Sequence, residues 1–478
     1  MEFDKDLASR QEARLLCRQA EAAQRKLAVM SQDRLDAIVE AVAVAFEKAA
    51  VELAELATAE TGFGNPQDKV AKNRFASRTV AERIRGMRTV GVLREDPKEK
   101  IWEIGVPVGV IGAIVPSTNP TSTVCYKALI ALKSGNTIVF SPHPKASSCT
   151  MRAAKIVAEA AVRAGAPEGA VSCLSYGTMA GCQELMGAKE VRLILATGGP
   201  AMVRAAYSSG KPAIGVGAGN GPAYIHHTAD IRKALERIRE SKTFDYGTVC
   251  ASEQSIIVEK PLEEQVRRIG GELGFHFMTE AEAGKLAKIL FRPGGAMNPD
   301  VVGRPAEKLA ELAGFPVPKG TAVLVGKEEA AGPNHPYSSE KLCPVLGFYV
   351  MESEDAVLKR VTEVLAHEGA GHTFAMHCED ENVIRKFAMA VPVSRLLVNT
   401  PAALGGIGAS TGLFPALTLG CGAVGGSASS NNIGPMDLVN IRRVAWGQAR
   451  RGDSEKIAVN GDLVELLAAK ILERLKVN

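Results

Sequence analysis

The stretch VRLILATGGP at residues 191–200 decides the fold, because it joins a strand to a helix through a glycine turn. Val191 to Ala196 is a short, mostly apolar run of the kind that forms a buried β-strand. The two glycines that follow end this strand, and a helix is expected to open at about Pro200. The stretch therefore predicts one unit of a parallel sheet whose faces are covered by helices.

Strands and helices alternate on both sides of this unit. Apolar residues recur at helical spacing over 7–60, 151–164, 179–186 and 230–240. Alternating or continuously apolar runs predict further strands over 102–115, 136–140 and 255–259. The alternation restarts after Gly221 and continues to about Val398, which predicts a second α/β unit. The predicted fold class is α/β with parallel sheets.

Composition excludes several kinds of function. A chain of 478 residues is long enough for two or three domains. Lysine and arginine number 57 against 53 acidic residues, and no long basic block is present, so nucleic acid is an unexpected partner. The apolar run Val106 to Pro116 is too short to span a bilayer, and the charged start lacks the apolar segment of a secretion signal. We therefore expect a cytoplasmic protein without a membrane partner.

Nine cysteines occur singly along the chain, without any CxxC pair. This pattern disfavours a disulfide framework or a zinc site, so reduced thiols and no metal are expected. Cys250, in FDYGTVCASEQ, lies between a predicted helix and a predicted strand, where a thiol can face a cleft. A small buried hydrophobic role is the alternative for Cys250, and it is the preferred interpretation for the other eight cysteines.

Polar residues follow the predicted strands. Asn119, in VIGAIVPSTNPTS, carries a neutral amide that can donate to an oxyanion, although an Asn-Pro turn is the alternative. Ser141 and His143, in VFSPHPKA, end another strand at the same expected cleft edge. His143 alone is more typical of a surface histidine.

The glycine turn of the first unit is a candidate phosphate site. Thr197, Gly198 and Gly199 lie where backbone amides at a helix start can bind a diphosphate. The segment GVGAGNG at 215–221 does not match the GxGxxG fingerprint of dinucleotide-binding proteins, because position 220 is asparagine. A conventional dinucleotide-binding turn is therefore absent from the sequence.

The end of the chain differs from the rest. A glycine-rich zone at 405–434 has almost no helical period and is expected to wrap a ligand or form turns. Residues 451–460 are polar and turn-prone, and DLVELLAAKILERLKVN then forms a short amphipathic segment. Asp462 and Glu465 resemble a helix cap with its capping box. One face of the expected helix carries apolar residues, namely Leu463, Leu467, Ile471 and Leu475.

Several segments taken together resemble the CoA-acylating branch of the aldehyde dehydrogenase superfamily, over about Leu7 to Arg450. The segments are AETGFGNPQDKVAKN, VPSTNPTST, ATGGPAMVRAAY, FDYGTVCASEQS, EKLCPVLGFY, GAGHT and TLGCGAVGGSASSNNIGP. They occur in the order that this branch shows. The resemblance implies an aldehyde dehydrogenase fold with a Rossmann-like NAD-binding domain, an α/β catalytic domain and a β-arm for oligomerisation.

The resemblance also implies domain boundaries. An NAD- and CoA-binding domain is expected over 1–221, with arm residues near 98–104, and a catalytic domain over 222–435. The chain returns to the arm over 436–450, and 451–478 form a linker and the terminal helix. A homo-oligomer, either a dimer or a tetramer, is expected.

Site residues are carried over from the resemblance position by position. Cys250 matches the nucleophile, Asn119 the oxyanion donor, and His372 a histidine near the acylating site. Glu340 matches the carboxylate that holds the nicotinamide ribose. The full set of implied cofactor contacts is Pro116, Ser117, Ser141, His143, Thr197, Gly198, Gly199, Glu340 and Leu342.

One departure from the hydrolytic branch bears on the reaction. Hydrolytic members carry a glutamate in an LELGG segment that activates water, whereas this chain has IGVGAGNGP at 214–222, without a carboxylate. The resemblance therefore implies that a thioester on Cys250 passes to CoA and that NAD takes the hydride from propionaldehyde or acetaldehyde. The alternatives are a hydrolytic enzyme, a phosphorylating reductase, and a catalytically silent shell-binding protein.

The terminal segment resembles the encapsulation peptides of bacterial microcompartments. The resemblance implies a shell protein as partner of residues 461–478 and a location inside such a compartment. The alternative is a helix that folds back on its own domain.

Overall fold

The structure is a computed structural model that describes residues 4–448 and 461–476. Its α-helices are α1 (Lys5–Leu27), α2 (Gln32–Lys48), α3 (Ala50–Thr61), α4 (Pro66–Arg74), α5 (Val80–Ile84), α6 (Pro120–Lys133), α7 (Ser147–Arg163), α8 (Met179–Gly187), α9 (Pro200–Tyr207), α10 (Ile231–Thr243), α11 (Glu263–Glu272), α12 (Glu280–Leu290), α13 (Ala306–Ala313), α14 (Glu354–His367), α15 (Glu381–Ala390), α16 (Ala402–Gly406) and α17 (Gly461–Leu475).

Three sheets hold the strands. The strands are β1 (Gly91–Asp96), β2 (Ile101–Pro107), β3 (Val110–Ile114), β4 (Thr137–Ser141), β5 (Val171–Cys173), β6 (Val191–Thr197), β7 (Ala213–Val216), β8 (Gly221–Ile225), β9 (Glu253–Glu259), β10 (Phe275–Phe277), β11 (Val323–Lys327), β12 (Val345–Met351), β13 (Gly371–His377), β14 (Val393–Val398) and β15 (Val439–Ala445).

The first sheet has the strand order β5-β4-β3-β6-β7, and all its strands are parallel. The stretch at 191–200 forms β6, a two-residue turn and the start of α9, as predicted. Helix α6 is buried along its whole length, which is typical of a helix covered on every side. The carboxyl ends of β3, β6 and β7 meet at one edge of this sheet.

The second sheet has the order β10-β11-β12-β9-β8-β13-β14 and is also parallel throughout. Apolar side chains of β8, β9 and β12 are fully buried against α10 and α11 on one face and against α14 and α15 on the other. Two helix-covered parallel sheets confirm the predicted α/β class.

A small antiparallel sheet, β1-β2-β15, joins residues 91–107 to residues 439–445. Trp102 and Trp446 meet edge to face across it, with ring centroids 5.0 Å apart. The predicted arm segments near 98–104 and after 436 lie in this sheet, whereas β1 was not predicted. Its role in oligomerisation stays a prediction, as do the domain boundaries.

Some predicted elements differ from the structure. The helical region 7–60 is divided into α1, α2 and α3, and the strand region 102–115 into β2 and β3 around Gly109, whose φ is +121°. The described part of the terminal helix begins at Gly461, one residue before Asp462, and the capping role of Asp462 stays a prediction. The predicted linker over 451–460 lies outside the described residues. No helix within the described ranges is long and apolar enough to cross a membrane.

Candidate active site

A cavity of about 240 Å³ opens where the carboxyl ends of β3, β6 and β7 face the loop before β9. It brings together most of the residues that the sequence singled out. The predicted residues that line it are Cys250, Asn119, Pro116, Ser117, His143, Thr197, Gly198, Gly199, Glu340 and Leu342. The carboxyl edge of a parallel sheet is where such folds commonly bind ligands.

Cys250 lies on the loop between α10 and β9, which we call the Cys250 loop (residues 244–252). Asp245 and Tyr246 start the loop with φ of 48° and 51°, a left-handed conformation that costs non-glycine residues free energy. Cys250 is half-buried at the wall of the cavity. Gly219 packs directly on the loop, since a Cβ there would lie 2.0 Å from the carbonyl oxygen of Cys250.

The Cys250 thiol lies in a site that disfavours its ionisation. Burial raises the pKa of Cys250 to about 12, the Glu340 carboxylate adds to the increase, and the buried Arg395 guanidinium opposes it. An ordinary cysteine has a pKa of about 8.5. In this state the sulfur is therefore a thiol at neutral pH, and it must lose its proton before it can act as a nucleophile.

Glu340 is the one acidic side chain among the described residues that line the cavity. Burial, followed by the nearby Glu368 carboxylate, raises the pKa of Glu340 to about 8. Its Oε1 accepts a hydrogen bond of 2.8 Å from the Gly219 N–H. This contact ties the carboxylate to the 214–222 segment, whose own residues bring Val216, Gly217 and Ala218 to the cavity wall without any acid.

Asn119 stands at the N-cap position of α6, directly before Pro120. Its Nδ2 donates to the Thr248 carbonyl at 3.2 Å, and its Oδ1 accepts a bond of 2.6 Å from Lys72 Nζ. Sequence reasoning missed Lys72 and Thr248, both of which line the cavity. The available signal was the segment AETGFGNPQDKVAKN, which contains Lys72 and to which no role was assigned.

Two predicted site residues do not line the cavity. His372 is fully buried, its Nδ1 lies 2.8 Å from Thr373 Oγ1, and its Nε2 has no partner among the described residues. Burial, with Arg395, lowers the pKa of His372 to about 3, so the ring is neutral at physiological pH. Ser141 is buried at the end of β4, where its carbonyl accepts from the Val115 N–H at 3.1 Å. Their site roles stay predictions.

The glycine turn after β6 has room for a phosphate group. Thr197 Oγ1 is buried and has no hydrogen-bond partner among the described residues. A Cβ at Gly199 would meet nothing within 4 Å, so the turn is open on that side. His143 lines the same cavity, and burial, followed by Lys145, lowers the pKa of its imidazole. A free hydroxyl beside an open turn fits a dinucleotide phosphate.

The chain is similar to known proteins both in sequence and in fold. Residues 4–271 match the model of the aldehyde dehydrogenase family. The bifunctional aldehyde-alcohol dehydrogenase AdhE of Escherichia coli is 42% identical over 91% of this chain and 49% of that protein, so the chain spans about half the length of the curated relatives it matches first. The chain belongs to the aldehyde dehydrogenase family, within its CoA-acylating branch.

Solved structures extend the likeness over nearly the whole chain. A probable aldehyde dehydrogenase from Listeria monocytogenes has a TM-score of 0.93 at 53% identity, covering 95% of this chain and 100% of that one. An acetylating aldehyde dehydrogenase from Geobacillus thermoglucosidasius has a TM-score of 0.92 at 47% identity, covering 94% and 99%. The fold class and family predicted from the sequence are thus confirmed.

Two less similar structures bear on function, one through its bound CoA and one through the microcompartment from which it comes. Rhodopseudomonas palustris propionaldehyde dehydrogenase, with bound CoA and an acylated cysteine, has a TM-score of 0.82 at 25% identity over 91% of this chain and 97% of that one. A propionaldehyde dehydrogenase from a Clostridium phytofermentans fucose utilisation microcompartment has a TM-score of 0.82 at 28% identity over 91% and 98%.

Proposed function

We propose that this chain oxidises a short-chain aldehyde, propionaldehyde or acetaldehyde, with NAD and CoA to the acyl-CoA and NADH. The observation that carries the proposal is the joint placement of Cys250, Asn119 and the turn at 197–199 around one cavity. The acylating relatives and the acylated cysteine of the Rhodopseudomonas palustris structure support the same chemistry.

The chain's own groups account for the acylation step. The Cys250 sulfur, once deprotonated, bonds to the carbonyl carbon, and the π electrons move to the oxygen. Asn119 Nδ2 and the Cys250 backbone N–H then stabilise the oxyanion. NAD bound at the turn supplies the acceptor for the hydride. Collapse of the oxyanion breaks the C–H bond and leaves a thioester on Cys250.

The acyl group passes to CoA rather than to water because the described residues around the thioester include no base that would activate water. A general base typically accelerates such a step ~10²–10⁴-fold, and the 214–222 segment offers none. Glu340, the acid in the cavity, is engaged by the Gly219 N–H at 2.8 Å. The CoA thiol replaces the Cys250 sulfur at the acyl carbon, and exchange between two thioesters has a small free energy. The reaction therefore runs in either direction.

Omission of CoA tests the reaction class. Enzyme, NAD and propanal should give steady NADH only when CoA is present, with at most one NADH per active site without it. Steady NADH production without CoA would favour the hydrolytic alternative, and phosphate-dependent turnover would favour the phosphorylating one. Cys250→Ala should abolish turnover in every assay, which also separates an enzyme from a catalytically silent protein.

A second proposal concerns helix α17. It exposes its large apolar side chains rather than packing them on the described domains: Val464, Leu466, Leu467, Ile471, Leu472 and Leu475 are 53–71% exposed. We propose that this helix docks on a microcompartment shell protein, a setting that the Clostridium phytofermentans relative supports. Deletion of residues 461–478 should keep the CoA-dependent rate and abolish co-purification with shell protein. Loss of the rate would favour a helix that folds back on its own enzyme.

The antiparallel sheet β1-β2-β15 is the proposed oligomerisation arm. It stands apart from the two parallel sheets and exposes Trp102 and Trp446, which are 38% and 46% exposed. We propose a dimer or tetramer joined through this sheet. Sedimentation of the wild type and of Trp102→Lys tests this, since the variant should sediment as a smaller species.

A further inference from the structure

Asn119 lies at the end of a buried network of charges. Lys72 Nζ is 2.6 Å from Asn119 Oδ1, 2.5 Å from Asp245 Oδ2 and 3.0 Å from Thr248 Oγ1. These contacts use all three N–H donors of the ammonium group. The Lys72 side chain is 3% exposed and that of Asp245 is 0% exposed, so water does not compete for these bonds.

The network fixes which way the Asn119 amide points. An amide can rotate by 180° with little change in shape, which exchanges its oxygen and its NH₂ group. Lys72 can only donate, and the Thr248 carbonyl, which is 3.2 Å from Asn119 Nδ2, can only accept. A rotated amide would place NH₂ against the ammonium and the amide oxygen against the carbonyl. Both contacts would then be repulsive.

The correct amide orientation matters because only the NH₂ group can stabilise an oxyanion. Asn119 Nδ2 donates to the Thr248 carbonyl and to Thr118 Oγ1, each at 3.2 Å. Both contacts lie at the long end of the range for N–H···O hydrogen bonds, so a developing oxyanion can replace one of them. An amide oxygen in the same place would repel the oxyanion.

Asp245 holds Lys72 in turn. Its Oδ2 accepts from Lys72, from Lys69 Nζ at 2.9 Å and from Thr248 Oγ1 at 2.7 Å, while its Oδ1 accepts from the Asn65 N–H at 2.9 Å. The segment AETGFGNPQDKVAKN and the Cys250 loop thus meet at one carboxylate. Gly64, with φ of +71°, permits the approach, because a Cβ there would lie 1.7 Å from Asp245 Oδ1.

We propose that Lys72 is a positioning residue for the oxyanion contact, fixing the Asn119 amide so that Nδ2, and not Oδ1, meets the oxyanion. The inference rests on the proposed function, in which Asn119 is the oxyanion donor. From its local helical sequence alone, Lys72 resembles a solvent-exposed surface lysine without a specific role.

A double-mutant cycle tests the inference. Loss of an oxyanion donor costs about 10²–10³-fold, so Asn119→Ala should lower kcat/KM for CoA-dependent propanal oxidation by that factor. Lys72→Met should lower it by about 10–100-fold, mainly in kcat. The double variant should be no more than about threefold slower than Asn119→Ala, because without the amide there is nothing left to orient.

Controls separate orientation of the amide from general damage. Lys133→Met removes another buried lysine, paired with Asp36 at 2.6 Å far from the cavity, and should keep the wild-type rate. Alkylation of Cys250 by iodoacetamide forms no oxyanion, so its rate should stay within about twofold of wild type in Lys72→Met. Lys72→Leu, which also lacks a donor for Asn119 Oδ1, provides a second variant should Lys72→Met fail to fold, and it should also lose rate.

The possible results distinguish the oxyanion role of Asn119 from the positioning role of Lys72. A full rate in Asn119→Ala would remove the oxyanion assignment of the proposed function. A slow Asn119→Ala with a full rate in Lys72→Met or Lys72→Leu would overturn only the inference. Losses that multiply in the double variant would also overturn it, because Lys72 would then act independently of the amide.

Discussion

Alkylation of Cys250 as a function of pH tests how strongly the surrounding residues disfavour ionisation of its thiol. The environment raises the pKa of Cys250 to about 12, mainly by burial. At pH 7 a thiol of that pKa is ionised to about 10⁻⁵, compared with about 3% for an ordinary cysteine of pKa ~8.5. Because the thiolate is the reactive form, native Cys250 should react on the order of 10³-fold more slowly than an ordinary cysteine.

The assay follows carbamidomethylation of the peptide that contains Cys250 by mass spectrometry, from pH 6 to pH 9.5. In the native protein, without nucleotide, the rate constant should rise throughout this range, about tenfold per pH unit below pH 7 and less steeply near pH 8, where Glu340 becomes charged. The same peptide in urea-unfolded protein provides the reference, since its rate should level off near the ordinary pKa. Comparison within one peptide removes differences in detection.

The slope separates ionisation from access to the cavity. Steric obstruction lowers the rate by a constant factor at every pH, whereas a raised pKa keeps the rate climbing to the upper end of the range. A native rate that levels off below pH 9 would refute the reasoning, and the environment of the sulfur would then have to favour the thiolate.

Three further predictions concern neighbouring groups. Glu340→Gln should leave the rate of Cys250 alkylation unchanged below pH 7, because a carboxyl group of pKa about 8 is already protonated there. Above pH 9, where wild-type Glu340 is charged, the variant should react about three- to tenfold faster. Equal rates in variant and wild type at high pH would contradict the contribution of Glu340. Gly219→Ala should lower kcat/KM by at least about 10²-fold, because its Cβ would lie 2.0 Å from the Cys250 carbonyl; Gly284→Ala, with nothing within 4 Å, is the control. Asp245→Asn should reduce the free energy of unfolding by about 3–5 kcal/mol in urea, since two buried ammonium groups lose their counter-ion; an unchanged midpoint would contradict the buried network.

The sequence predicted those site residues correctly that follow directly from the position of a strand end. Pro116 and Thr197 were predicted at strand ends, and parallel strands bring such ends to the same edge, so both line the cavity. Ser141 was predicted by the same argument, yet its side chain is buried beneath that edge. A strand end fixes the position of the backbone, but it does not fix the direction of the side chain.

The missed residues depend on contacts distant in sequence. Lys72 contacts Asp245, which is 173 residues away, and nothing in the local helical pattern distinguishes it from a surface lysine. Strand β1 has exposed, charged residues because it is the edge of a small sheet, so it lacks the apolar run that reveals the buried strands. The breaks between α1, α2 and α3 also contain no glycine or proline that would reveal them in the sequence. Each of these features is set by tertiary contacts.

The pairing of β15 with β2 constrains the order in which the molecule assembles. Arg443 and Glu103 form an ion pair across this pairing although they are 340 residues apart in the chain. A ribosome must therefore synthesise the chain as far as β15 before the edge of β2 that pairs with β15 receives its neighbour. Until then that edge remains available to other nascent chains, which makes the interval during synthesis the period of greatest exposure to misassembly.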